Sequence, residues 1–141
     1  MDYREAYEKA LQLLNVRFLS EGELKAKLRR RGVDDDVLED VVAALEGEHF
    51  LDDQRLARDV YRYYARKGQY GHLYIVNRLR RRCLPVPEDV ERPDEYALAG
   101  DLVKRKFSYR ADEARKAARF LQYRGFSPSV IRDVLKDFTV H

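Results

Sequence analysis

The sequence predicts an all-α fold of tandem three-helix repeats stacked into an elongated, curved array. Apolar residues recur at three- and four-residue spacing through almost the whole chain. Glycine and proline are scarce, 7 and 4 of 141 residues, which favours helix over an all-β chain. One pattern of helix, break and helix returns along the sequence, the mark of a repeat architecture.

The first helix, Asp2 to Asn15, carries Ala6, Ala10, Leu13 and Leu14 at helical spacing. Ser20 and Glu23 form a capping-box pattern that opens a helix with Leu24 and Leu28 on one side. That helix ends in Arg29, Arg30 and Arg31, cations that oppose the negative end of its dipole, and Gly32 stands at the left-handed cap position. Asp34 caps the next helix, with Val37, Leu38, Val41, Val42 and Leu45 inward and Gly47 at its end. Asp52 caps a fourth helix that Gly68 ends. At about 100° per residue, Leu56, Ala57, Val60 and Tyr64 gather on one side, and Arg55, Arg58, Arg62 and Arg66 on a stripe opposite.

Gly71 to Arg82 repeats the device: Ile75, Val76 and Leu79 face in, and Tyr74, Arg78 and Arg81 face out. Pro85 and Pro87 then exclude a regular helix, with a short turn around Glu88 to Glu91. Pro93 can open a sixth helix, with Tyr96, Ala99, Leu102 and Val103 inward. Arg110 to Arg124 is the next, apolar at Ala114, Ala117, Phe120 and Leu121, with Arg115 and Arg119 outward and Gly125 closing it. Ser127 and Pro128 start the last, which buries Val130, Ile131, Val134, Leu135 and Phe138.

Aligned on their breaks, Leu24, Leu28 and Gly32 correspond to Ile75, Leu79 and Cys83, and to Ala117, Leu121 and Gly125. The shared Gly, with Asp34 or Ser127 two residues later as cap, is a better signal than apolar spacing alone. The expected repeats are residues 1–47, 48–91 and 92–141, the middle one with its third helix truncated by proline.

Charge is divided sharply along the chain, although its net value is only +3. Val33 to Gln54 holds nine acids and no Lys or Arg, whereas Arg55 to Arg82 holds nine Lys or Arg and one acid, Asp59. Five of the ten tyrosines lie between Phe50 and Leu84. A window this basic and Tyr-rich suits a surface that meets polyanions or an acidic partner. No window approaches the roughly 18 apolar residues of a membrane span. The N-terminus has acids where a signal peptide needs a basic start. A single cysteine fits a reducing cytoplasm.

The residues offer no catalytic constellation, and the expectation is a non-enzyme that uses no cofactor and no metal. No Gly-rich phosphate loop is present, and His49, His72, His141 and Cys83 form no ligand pattern. Cys83 falls on the apolar side of its helix and reads as a packed, inert thiol. His72 reads as a core or interface histidine, and Asp34 to Asp36 and Asp52–Asp53 as helix caps. The arginine stripe reads as a binding face. Four like charges at this spacing repel by about a few tenths of a kcal/mol per neighbouring pair, and Asp59 is the only acid within the helix to relieve them. Arg suits bidentate contact with phosphate or carboxylate. Tyr61, Tyr63, Tyr70 and Tyr74 could stack on bases or touch a protein.

The ordered set of segments resembles the RecX family of recombinase regulators. The matching stretches are SEGELKAKLRRRGV from Ser20, EGEHFLDDQRLARDVYRYYARKGQYGHLYIVNRL from Glu46, and RFLQYRGFSPSVIRDVL from Arg119. Asp52–Asp53 before Leu56–Ala57, Lys67–Gly68 with Gly71, and Arg124–Gly125–Phe126 meet the family's pattern; Cys83–Leu84 departs from its usual Gly and apolar residue. The resemblance implies a cytoplasmic, non-enzymatic monomer that binds the RecA filament on single-stranded DNA and lowers its ATPase and strand-exchange activity. The residues expected to carry this are Arg55, Arg58, Arg62, Arg66, Lys67, Tyr74, Arg78, Arg81, Arg82, Arg115 and Arg119. A stand-alone nucleic-acid-binding protein and a helical adaptor for another protein are the alternatives.

Overall fold

The computed structural model describes residues 1–138; His141 lies outside them. It holds eight α-helices: α1 Tyr3–Val16, α2 Glu21–Arg30, α3 Asp35–Gly47, α4 Asp53–Arg66, α5 His72–Arg81, α6 Glu95–Lys106, α7 Ala114–Tyr123 and α8 Pro128–Leu135. A 3-10 turn, Ala111–Glu113, precedes α7, and no extended strand occurs among the described residues. The all-α expectation is met. Two compact units divide the chain: residues 1–59 with 79–87, and residues 60–78 with 88–138 of those described.

In the first unit, α1, α2 and α3 pack on one another. Ala6, Ala10, Leu24, Leu28, Leu38, Val41 and Leu45 are fully buried between them. Ser20, itself buried, accepts from the Glu23 amide at 3.1 Å, and the Glu23 carboxylate accepts from the Ser20 amide at 2.9 Å. The capping box is therefore complete. Asp52 accepts from the Arg55 amide at 3.1 Å, while Asp53 reaches across to accept from the Glu21 amide at 2.9 Å. One acid thus caps α4 and its neighbour caps α2. Asp34 has the backbone of an N-cap, but its side chain makes no capping bond.

In the second unit, α8 packs on both α6 and α7 around Ala99, Val103, Leu121, Phe126, Val130 and Val134. Asp94 caps α6 through the Ala97 amide at 3.2 Å, so the helix starts after an acid rather than on Pro93. Tyr96, expected inward, is exposed. The helix expected from Arg110 begins instead as the 3-10 turn and becomes α-helical at Ala114.

The aligned repeat positions share one geometry. Gly32, Cys83 and Gly125 all take left-handed backbone, with φ of 84°, 57° and 82°. After each, the next amide (Val33, Leu84 or Phe126) bonds the carbonyl of Leu28, Leu79 or Leu121, at 3.2, 2.9 and 3.1 Å. These are Schellman endings, in which a left-handed residue turns the chain back onto the orphan carbonyls of the last turn. The six apolar partners Leu24, Leu28, Ile75, Leu79, Ala117 and Leu121 are all fully buried. A fourth such ending closes α3. There His49, with φ of 65°, takes the left-handed position and the Phe50 amide bonds the Leu45 carbonyl at 2.9 Å, so Gly47 is the last helical residue rather than the cap.

The start of α5 sits directly on the end of α7. The Gly71 amide donates to the Arg124 carbonyl at 2.7 Å and the Leu73 amide to the Gly125 carbonyl at 3.2 Å. A Cβ on Gly71 would stand 2.5 Å from the Gly125 carbonyl oxygen, and one on Gly125 would overlap the Tyr74 backbone nitrogen. Gly125→Ala should therefore cost about 2–3 kcal/mol, from overpacking against backbone, read as a lowered midpoint in urea unfolding. Ser20→Ala removes one half of the capping box and should cost about 1 kcal/mol in the same measurement.

Candidate partner-binding surface

The α4 arginines do not share one fate. Arg55, Arg62 and Arg66 are exposed and make no ion pair among the described residues. Arg58 is half-buried and has a partner within the chain. On the helical wheel Arg58 lies nearest the buried flank, beside Tyr61, which explains the difference. Arg81, Arg115 and Arg119 are exposed, as expected.

Arg82 is committed inside the first unit. Its guanidinium donates to both carboxylate oxygens of Glu23, at 3.1 and 3.3 Å, and to the Phe18 carbonyl at 2.9 Å. Burial pushes the Glu23 carboxyl up. The Arg82 hydrogen bond, the Ser20 amide and the charges of Arg82 and Arg17 outweigh it and leave the group below its ordinary value. Arg82 thus ties the α1–α2 loop to the capping box. Cys83 is exposed rather than packed. It lies beyond the last helical residue, so the helical wheel that placed it inward no longer applies. Its Cβ and Sγ lie over Gly22, where an added Cβ would come within 2.7 and 3.0 Å of them.

In the second unit the tyrosines form a cluster with cations. Tyr70 and Tyr74 stack face to face, with centroids 3.9 Å apart and planes 6° from parallel. Tyr64 meets both edge-on. The Arg78 guanidinium lies 5.0 Å from the Tyr74 centroid and donates to its hydroxyl at 2.7 Å. Tyr74 and Arg78 are consequently half-buried rather than facing freely outward. Lys67 stands 4.7 Å over the exposed Tyr63 ring. Arg124, which helical spacing alone does not single out, lies 5.6 Å from the Tyr70 centroid and 5.1 Å from that of Phe120, and donates to Gln69 at 3.2 Å. Each cation–ring contact contributes about 0.5–1 kcal/mol at an exposed site. Burial raises the Tyr74 phenol, but the hydrogen bonds from Arg78 and Tyr70 and the charges of Arg78 and Lys67 win, so its pKa falls below the ordinary value.

Tyr61 is fully buried and cannot stack on a base. Its hydroxyl lies 2.8 Å from His72 Nδ1, while the His72 amide donates to Glu95 at 3.0 Å. His72 is half-buried, its ring set against the buried Tyr61. Burial lowers its pKa, the Arg92 charge lowers it further, and Glu95 opposes both. Among the described residues no three His, Cys, Asp or Glu are grouped to hold a metal, and no helix is long and apolar enough to cross a membrane.

A chain of three-helix domains that sets arginines and tyrosines, rather than clustered acid–base groups, at its surface has the build of a helical interaction protein. The comparisons with known proteins agree on its kind. Family models described as the first and the third three-helix domains of RecX match residues 6–45 and 93–135. The regulatory protein RecX of Pelodictyon phaeoclathratiforme is 32% identical over 135 residues, 90% of this chain and 84% of that protein. That of Geobacillus kaustophilus is 29% identical over 153 residues, 99% of this chain but 56% of the relative, so the chain spans about half that protein's length. The crystal structure of RecX from Lactobacillus salivarius superimposes with a TM-score of 0.78 at 21% identity, covering 97% of this chain and 96% of that one. The chain belongs to the RecX family of regulatory proteins.

The lowered His72 pKa has a consequence for stability. The folded state binds its proton less readily than the unfolded state, whose histidine titrates near 6.5, so the unfolded chain takes up more protons as pH falls. Stability should be unpenalised above that value and decline as pH drops through it toward the folded pKa. Thermal melts between pH 7.5 and about 5 should show this decline in the native chain and a smaller one in His72→Gln.

Proposed function

We propose that the chain regulates RecA: it binds the RecA filament on single-stranded DNA and lowers its ATPase and strand-exchange activity. The observation that carries this is the row of exposed arginines on α4, Arg55, Arg62 and Arg66, which make no ion pair among the described residues. Leaving like charges unpaired along one helix costs stability, and the cost is offset when a polyanion or acidic surface meets them. Family membership supplies the partner. Arg81 in the first unit and Arg115 and Arg119 in the second are further exposed cations offered to the partner, with Lys67, Arg78 and Tyr74 in the tyrosine cluster. Arg82 acts from a half-buried position, by holding the α1–α2 loop on the capping box, and Arg58, half-buried with a partner in the chain, does not belong to the exposed row. The acidic stretch from Val33 to Gln54 orients the chain against basic surfaces of the filament. The reading takes the chain as a cytoplasmic monomer of three repeats, 1–47, 48–91 and 92–141, acting without a reaction of its own.

The test replaces Arg55, Arg62 and Arg66 together by Glu. Inhibition of RecA's ATPase on single-stranded DNA should fall by more than about tenfold, since several charge contacts are reversed at once. Far-ultraviolet circular dichroism should remain helical. Full inhibition by the triple variant would remove this face from the function. Tight, steeply salt-dependent binding to naked DNA with no effect on the filament would favour a stand-alone nucleic-acid-binding protein.

A further inference from the structure

The first unit carries an apolar hollow that the arginine row touches only at Arg55. Phe18 is 77% exposed and Phe50 50% exposed, and they stand beside His49 at a shared wall of two adjoining cavities. The larger, about 510 Å³, runs along Leu11 and Leu14 of α1. The smaller, about 140 Å³, has Leu19 and Leu56 in its lining and Asp52, Asp59 and Arg55 around it.

Two features distinguish this hollow from incidental surface apolarity. Both aromatic residues sit on fixed backbone: the Phe18 carbonyl accepts from Arg82, and the Phe50 amide bonds Leu45 in the Schellman ending of α3. Backbone already held in place loses little freedom when a partner docks, which favours binding. The surrounding charge also has a direction. Phe50 and Asp52 belong to the stretch with nine acids and no Lys or Arg, and Asp59 makes no ion pair among the described residues. At the edge Asp52 and Asp59 outnumber Arg55, so the rim on balance repels a phosphate backbone and anionic lipid headgroups alike, and attracts a basic side chain.

We propose that this hollow receives a short amphipathic segment of the partner protein, with an aliphatic or aromatic side chain entering between Phe18 and Phe50 and a neighbouring Lys or Arg meeting Asp59 and Asp52. The proposal rests on the RecA reading for the partner's identity and divides the labour. Arg62 and Arg66 of α4 meet anionic surface, and the hollow, with Arg55 at its edge, meets protein. The smaller cavity has the volume of one large apolar side chain. An anchor of that kind, ringed by polar contacts that exclude water, is the usual centre of a protein interface.

The experiment uses the full chain, RecA filaments on a fluorescent single-stranded oligonucleotide, and the same oligonucleotide without RecA. Phe18→Ser should raise the concentration needed for half-inhibition of the filament ATPase about tenfold, the loss expected for one interface anchor. Its affinity for the naked oligonucleotide should be unchanged. Asp59→Lys should weaken inhibition comparably and Asp59→Asn less. Because Phe18 and Asp59 are both exposed, thermal melts should match the native chain. Native-like inhibition by Phe18→Ser, with the wild type active, overturns the proposal and leaves the RecA reading standing. Equal loss on the naked oligonucleotide assigns the hollow to nucleic acid and overturns it. Loss with Phe18→Ser but not with Asp59→Lys overturns the pairing with a basic residue. Self-association of the wild type that Phe18→Ser abolishes assigns the hollow to a second copy and overturns it. A wild type without effect on the filament removes the RecA reading, and this proposal with it.

Discussion

Everything in this chain turns on how its helices end. A left-handed residue ends five of the helices, and after four of them, Gly32, His49, Cys83 and Gly125, the next amide also turns back onto the carbonyl five residues before it; Gly68 closes α4 without that second bond among the described residues. A side chain in that region carries a steric cost that glycine avoids, of about 1 kcal/mol. Two of the four positions bear it. The residue after the turn is buried at three of them, Val33, Leu84 and Phe126, so each of these endings also places an apolar group in a core. The termini thus fix both the direction of the chain and the packing of the segment beyond each turn.

The second constraint is the space left for those endings. Gly71 lies against Gly125, and Gly22 lies against Cys83, with no room for a methyl group at either glycine without displacement. Each is the seat of one helix terminus on another, within one unit. At Gly71 the neighbour is backbone, which cannot rotate aside, so the requirement there is strict. At Gly22 the neighbour is a cysteine side chain, which can yield more readily.

Much of the fold was legible in the residues. Periodicity located the helices, and the capping box at Ser20 and Glu23, the cap at Asp52 and the Ser127–Pro128 start were each read from local chemistry that acts within three residues. The alignment set Cys83 against Gly32 and Gly125, but the helical wheel carried the helix through Cys83, and only the structure gives all three one backbone geometry. What escaped was decided between elements. Tyr61 sits at the margin of the apolar arc of α4, yet it is fully buried, with its hydroxyl partnered by His72. Arg82 looked like one more surface cation until Glu23 and the Phe18 carbonyl, far away in sequence, claimed it. His49 displaced Gly47 because the register of the last turn, not the identity of the nearest glycine, sets where the helix closes. The surface itself was legible only as charge. The free arginines of α4 were foreseen, whereas the role of Arg124 in the tyrosine cluster needed three dimensions.

The stacked tyrosines give the chain an optical signature of its own. It contains no tryptophan, so its aromatic absorption and emission above the peptide band come almost entirely from phenols. Ten chromophores contribute, but among the described residues only one pair, Tyr70 with Tyr74, lies nearly parallel at 3.9 Å, close enough for its transitions to couple. Near-ultraviolet dichroism therefore carries a contribution from this corner of the second unit, without any label. A polyanion that drew Arg78 or Arg124 away from the rings would change that spectrum directly.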